Sequence, residues 1–211
     1  MVMKKIICLI SLLFIWKSGI DSPVHKNVEI TKISIINPLS FKVAFQRIHQ
    51  FEGYYANVKD DKGRETYRGI SRRFNPTWIG WSRIDEFKQL NGQIKWNQQI
   101  PEVDFWVTDY YLSLWLNEKY DIIKDNDISS YTFEFLIHGT DAKKIIRRTV
   151  NKQFPDIYIP FNKVTEYLNY VDKSQYLEDL KKARIQYYHN IVRRDSTQKQ
   201  FLKHWLSRVN P

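Results

Sequence analysis

The chain has 211 residues, of which 43% are hydrophobic and 15% aromatic, enough for one good core and too apolar for a disordered chain. A formal net charge of +10 favours anionic partners such as nucleic acid, acidic lipid or the acidic polymers of a bacterial wall, without choosing among them. The one cysteine, Cys8, lies in an N-terminal apolar run; if that run is removed, disulfides and cysteine metal sites are excluded.

Residues 1–19 read as a signal peptide or N-terminal anchor. Lys4 and Lys5 precede an apolar run from Ile6 to Trp16, and Lys17, Ser18 and Gly19 follow. The run falls short of the roughly 20 residues of a membrane span. A secreted or periplasmic protein is expected, with no integral membrane span unless the leader is retained. Residues 20–39 read as an extended arm, with Val28, Ile30, Ile33 and Ile35 hinting at a short strand.

A helical pattern begins at Ser40, which can cap, and places Phe41, Ala44, Phe45, Ile48 and Phe51 on one face. Glu52 arrives where that helix should end, and Gly53 permits the exit. Residues 54–71 are short, polar and broken by Asp61-Lys62-Gly63, which predicts a small hairpin beside the helix. Trp78 and Trp81 fall in an expected loose connection. Pro101 opens a strong helix with Val103, Trp106, Val107, Tyr110, Leu114 and Trp115 as its stripe. Helices are predicted over 127–138 and 141–151, followed by a break from Pro155 to Pro160. A long helix is predicted over 174–194, buried through Tyr176, Leu177, Leu180, Ala183, Tyr187 and Ile191. Ser196 or Thr197 is expected to cap a last helix carrying Phe201 and Trp205. The sum is an α+β fold, mainly helical, with one small β element.

A glutamate at a helix–hairpin joint can be held beside apolar side chains, which favours its protonated form near neutral pH. A protonated carboxyl is what glycosidic cleavage needs as its general acid, while an ionised Asp and a hydroxyl, here Asp61 and Thr66, can hold a water on the far face of the sugar. The ordinary alternatives are a solvated Glu near a helix end and, for Asp60-Asp61-Lys62-Gly63, plain turn chemistry. The five histidines are scattered, with no convincing metal-ligand spacing. No metal site is expected.

Glu52-Gly53-Tyr54-Tyr55, then Asp61-Lys62-Gly63, then Thr66-Tyr67-Arg68-Gly69-Ile70 resembles the opening motif of glycoside hydrolase family 108, lysozyme-like proteins of the secretion-activator type. The family's proposed proton donor falls on Glu52, and the spacing to Asp61 and Thr66 is kept without gaps. The segment Val107 to Trp115 is similar to a family helix, and His204-Trp205-Leu206-Ser207-Arg208-Val209 to its C-terminal ending. The sequence departs from the family pattern at Tyr54, at Lys62-Gly63-Arg64, at Tyr67-Arg68, and at Glu134 to Gly139, where His138 replaces an expected Asn.

The resemblance implies a lysozyme-like catalytic domain over 40–151 and a helical peptidoglycan-binding region over 152–211 packed on it. It also implies hydrolysis of the glycan β-1,4 bond. Glu52, Asp61 and Thr66 would be the catalytic residues, Tyr55 and Gly69 the substrate-binding ones, and peptidoglycan glycan strands the partner. No cofactor and no nucleic-acid partner are implied. The alternative reading is a catalytically inactive protein that binds the wall or assists secretion.

Overall fold

The computed structural model describes residues 38–57 and 64–209. The expected leader, most of the expected arm and the Asp61-Lys62-Gly63 turn lie outside them. Among the described residues the chain forms eight α-helices and three short strands, so the mainly helical α+β class holds. No described helix is long and apolar enough to cross a membrane. The chain groups into two compact units that meet between Asp121 and Ile122.

In the first unit, helix α1 (Pro38–His49) is followed by strands β1 (Tyr55–Asn57), β2 (Glu65–Tyr67) and β3 (Ile70–Ser71), then by helices α2 (Gly80–Asn91) and α3 (Pro101–Asn117). Ala44 and Ile48 on α1 are fully buried. Phe41 packs edge-on to Trp115 of α3 with ring centroids 5.9 Å apart, and Phe45 meets Tyr111 at 6.0 Å. Such aromatic pairs fix the angle of one helix on another as well as burying area. Ser40 does not cap: it sits inside α1, buried, because the helix is already formed at Pro38.

Helix α3 begins as expected, with Pro101 in its first turn, where the missing N–H costs nothing. Its buried stripe is Val103, Val107, Tyr111 and Trp115, a strict four-residue repeat. Helix α2 occupies what the sequence suggested was a loose connection. Its apolar stripe is too narrow to read, since only Gly80, Trp81 and Ile84 are buried. Tertiary contacts hold it. A Cβ on Gly80 would meet the Trp78 indole at 2.3 Å, and the Trp81 indole N–H donates to the Asn75 carbonyl at 2.8 Å.

The sheet is antiparallel in the order β1-β2-β3. Tyr55 faces Tyr67, Ala56 faces Thr66, and Tyr67 faces Ile70. Arg68 and Gly69 alone make the β2–β3 turn, both left-handed, with φ of 49° and 80°. Two consecutive positive φ values are the pattern of a type I′ turn, whose twist suits a tight hairpin.

In the second unit the helices are α4 (Asn126–His138), α5 (Ala142–Asn151), α6 (Val164–Tyr167), α7 (Lys173–Arg194) and α8 (Lys199–Ser207). Asp125 caps α4 by accepting from the Asp127 and Ile128 amides at 2.9 and 3.0 Å, and Asp172 caps α7 by accepting from Gln175 N–H at 2.8 Å. Neither Ser196 nor Thr197 caps α8. Asp195 accepts from the Thr197 amide at 3.1 Å and starts a short turn, Ser196–Gln198, that leads into it.

Helix α4 is buried nearly all round and carries a charged group into the core. Glu134 is fully buried, and its Oε2 lies 2.6 Å from Nη2 of the equally buried Arg184 of α7. The His138 Nδ1 is 3.2 Å from Glu134 Oε1, and Arg208 Nη1 is 2.7 Å from His138 Nε2. Burial alone would push the Glu134 carboxyl up, but Arg184 and His138 hold it well below the carboxylate range. The expected buried face of α7 is right at Tyr176, Leu180 and Tyr187; Arg184 and Tyr188 join it.

Candidate active site

Glu52 leaves the end of α1, where the Phe51 amide closes on the Ile48 carbonyl at 3.3 Å, and it precedes β1. It is only 8% exposed. Its carboxyl group rests against the β2–β3 turn: a Cβ on Gly69 would stand 3.2 Å from Glu52 Cδ and 3.3 Å from Cγ. The same point is 2.9 Å from the Tyr111 hydroxyl. Glu52 and Tyr111 therefore converge on the bare Cα of Gly69. That residue is required twice, for its positive φ and for the space its missing side chain leaves.

The Tyr111 hydroxyl donates to the Arg68 carbonyl at 2.9 Å, and the Arg68 amide donates to the Tyr54 carbonyl at 3.1 Å. The turn is thereby fixed to α3 on one side and to the approach to β1 on the other. The Arg68 guanidinium carbon lies over the Tyr54 ring, 3.6 Å from its centroid.

His49, one turn before Glu52, points its Nδ1 at the Phe45 carbonyl at 2.8 Å. A carbonyl only accepts, so Nδ1 carries the proton. The ring is edge-on to Tyr111, with centroids 5.5 Å apart. Burial pushes the imidazole below its usual value; Arg68 adds to this, while the Phe45 bond and the charge of Glu52 oppose it. His49 is thus the neutral neighbour of Glu52, held by the helix rather than free to shuttle protons.

Of the other residues singled out from sequence, Gly69 is brought to Glu52, as above. Thr66 is fully buried between Ala56 and Ser71, and its hydroxyl donates to the Ala56 carbonyl at 3.5 Å. Tyr55 is 5% exposed and donates its hydroxyl to Glu65 Oε1 at 2.8 Å; burial and that carboxylate push its pKa up. Asp61 lies outside the described residues.

Sequence reasoning missed a second carboxylate that organises this unit. Glu65 accepts from Tyr55 and from Lys88 of α2, and Arg72 Nε approaches its Oε2 at 2.9 Å. Arg72 in turn makes a bidentate pair with Asp85 of α2 at 2.7 and 3.1 Å and stacks over Trp81, 4.7 Å from its ring centroid. These contacts fasten the sheet to α2. Only the alternation of β2 hinted at them, since it sends Glu65 and Tyr67 to the face opposite Thr66.

In the second unit, one cation of α5 is structural. Arg147 donates to the Ile159 carbonyl at 2.7 Å and stacks on Phe161, 4.7 Å from its ring centroid.

Comparison with known proteins gives one family. Residues 45–138 match the family model described as glycosyl hydrolase 108, a segment that contains Glu52, Thr66, Gly69 and Tyr111. No curated protein and no solved structure gives a match.

Proposed function

We propose that this chain, whose residues 45–138 match the glycosyl hydrolase 108 family model, cleaves the β-1,4 bond between peptidoglycan amino sugars with Glu52 as general acid. That match supports a glycosidase of the peptidoglycan-hydrolase kind; the residue roles are our reading. The observation that carries it is the seat of Glu52: a nearly buried carboxyl at the end of α1, pressed against Gly69 and beside the Tyr111 hydroxyl. A general acid must be held in one orientation toward the departing oxygen, and a carboxyl packed on a pinned turn is held.

Glu52 gives its proton to the leaving oxygen. Asp61 and Thr66 hold the attacking water on the other face of the ring, as an inverting reaction requires. The Thr66 hydroxyl spends its proton on Ala56 and keeps oxygen lone pairs with which to accept from that water. Tyr55 and Gly69 belong to the substrate-binding surface in this reading, with Gly69 as the wall against which Glu52 rests. Residues 152–211 serve as the wall-binding region, and the N-terminal leader directs the protein to the periplasm or beyond.

The test is incubation of the purified protein with isolated sacculi, followed by chromatography of the soluble products. Muropeptides with new reducing ends support the proposal, and an α-anomer as the first product supports inversion. Binding to sacculi without release would favour the wall-binding alternative.

A further inference from the structure

We propose that Arg68 is a specificity determinant of the Glu52 site, and that its guanidinium captures a carboxylate carried by the glycan substrate. This rests on the hydrolase reading and adds to it a substrate feature: an acidic substituent beside the scissile bond.

Position comes first. Arg68 immediately precedes Gly69, whose Cα meets the Glu52 carboxyl. Its backbone is fixed at both ends, by Tyr54 through its N–H and by Tyr111 through its carbonyl. A group bound at Glu52 therefore lies within reach of a side chain whose root cannot drift. The charges of Arg68 and of Glu52 both act on the His49 ring.

Chemistry comes second. The guanidinium spends its face on Tyr54 at 3.6 Å, and no carboxylate pairs with it among the described residues. Its neighbour Arg72, by contrast, is tied to Glu65 and Asp85. A stacked guanidinium keeps its N–H edge free, and that planar fork matches a carboxylate bidentately. The residue is half-buried, so such a pair would be less screened than one at the open surface.

The backbone gives a third reason. Arg68 has φ of 49° at the first central position of a turn that favours Asn, Asp or Gly. A non-glycine side chain is disfavoured there, and strain of this kind concentrates at functional sites.

On peptidoglycan two carboxylate sources stand close to the bond: the lactyl ether of a muramic acid whose peptide has been removed, and the stem peptide where it remains. The experiment separates them. In a Glu52→Gln background, which leaves saccharides uncut, calorimetric affinities are measured for three tetrasaccharides. One is the neutral tetramer of N-acetylglucosamine, one carries peptide-free muramic acid, and one carries stem peptides. The expected result is a preference of about tenfold for a carboxylate-bearing saccharide over the neutral one, as one charge-assisted pair gives. The preferred saccharide identifies the source.

Adding Arg68→Asn should abolish the preference. Asn suits the left-handed turn, so melting at or above the parental temperature shows that the fold is intact. If Arg68→Asn retains the preference, or if the parent binds all three saccharides equally, the proposal is overturned while the hydrolase reading stands. If the parent binds no saccharide, the hydrolase reading falls and takes the proposal with it.

Discussion

Adding one methyl group at Gly69 perturbs the site at its tightest point. The new Cβ would stand 2.9 Å from the Tyr111 hydroxyl, 3.2 Å from Glu52 Cδ and 3.3 Å from Cγ, at a φ of 80°. The left-handed conformation costs an alanine about 1–2 kcal/mol. Overpacking against two held side chains adds about 1–3 kcal/mol. A total near 3 kcal/mol lowers the melting temperature of a chain this long by about 10 °C. Relief requires the Glu52 carboxyl to move by several tenths of an ångström, and misplacement approaching 1 Å costs about a hundredfold in rate. Gly69→Ala should therefore melt early and cleave sacculi about 10- to 100-fold more slowly. Calorimetry and a reducing-end assay measure the two effects. In the Gly69→Ala/Tyr111→Phe double variant the closest contact is gone, and the two changes should couple by about 1 kcal/mol in stability. The rate should stay low, because Glu52 is still displaced. Wild-type melting and turnover in Gly69→Ala would refute this account of the site.

Glu65→Ala should cost about 2 kcal/mol, because it leaves the buried Tyr55 hydroxyl without its acceptor and removes one of the two carboxylates that hold Arg72 and Lys88; Asp85 still pairs with both half-exposed cations, which keeps the loss below that of a fully buried pair. Urea denaturation checks it. Arg184→Met leaves Glu134 charged in the core and should cost about 3–5 kcal/mol, whereas Glu134→Leu/Arg184→Met should recover most of that; a double variant as unstable as the single one contradicts this. The same pair sets an acid limit. Glu134 is depressed in the fold relative to its ordinary value of 4.5, so the stability it contributes is present above that pH and is lost as pH falls toward its folded value. His49 is lowered from 6.5, so the unfolded chain takes up its proton first and stability also declines as pH drops through that value. Denaturation midpoints at pH 7, 5 and 4 should fall in order, and less steeply in the Glu134→Leu/Arg184→Met variant.

Elements with a wide apolar stripe were legible in the sequence. The apolar run from Val103 to Trp115 announces α3 whatever it packs against, although the residue that completes its buried repeat is Tyr111 and not Trp106, Tyr110 or Leu114, which are half-buried; Tyr176, Leu180 and Tyr187 announce α7 in the same way. Helix α2 was not legible, because Trp81 and Ile84 make too narrow a stripe and its stability comes from Trp78, Arg72 and Lys88. Capping by Asp125, Asp172 and Asp195 was overlooked in favour of hydroxyls at Ser40, Ser196 and Thr197, although a carboxylate serves as well at that position. In the site, Glu52 stood out by its place at the end of a helical pattern, and Gly69 by its motif. Arg68, Tyr111 and Glu65 did not, because their roles depend on approaches across the sheet and from α3. Glu134 and Arg184 were hidden for another reason. Charged residues are expected at the surface, and nothing local tells the reader that two of them, far apart in sequence, will be buried together.

The seat of Glu52 is tested most directly by exchanging its carboxyl for the isosteric amide. Glu52→Gln should keep the far-ultraviolet circular dichroism and melting temperature of the wild type, still sediment with purified sacculi, and release no muropeptides above background. A folded Glu52→Gln protein that releases muropeptides at the wild-type rate would contradict the assignment of that residue as the acid.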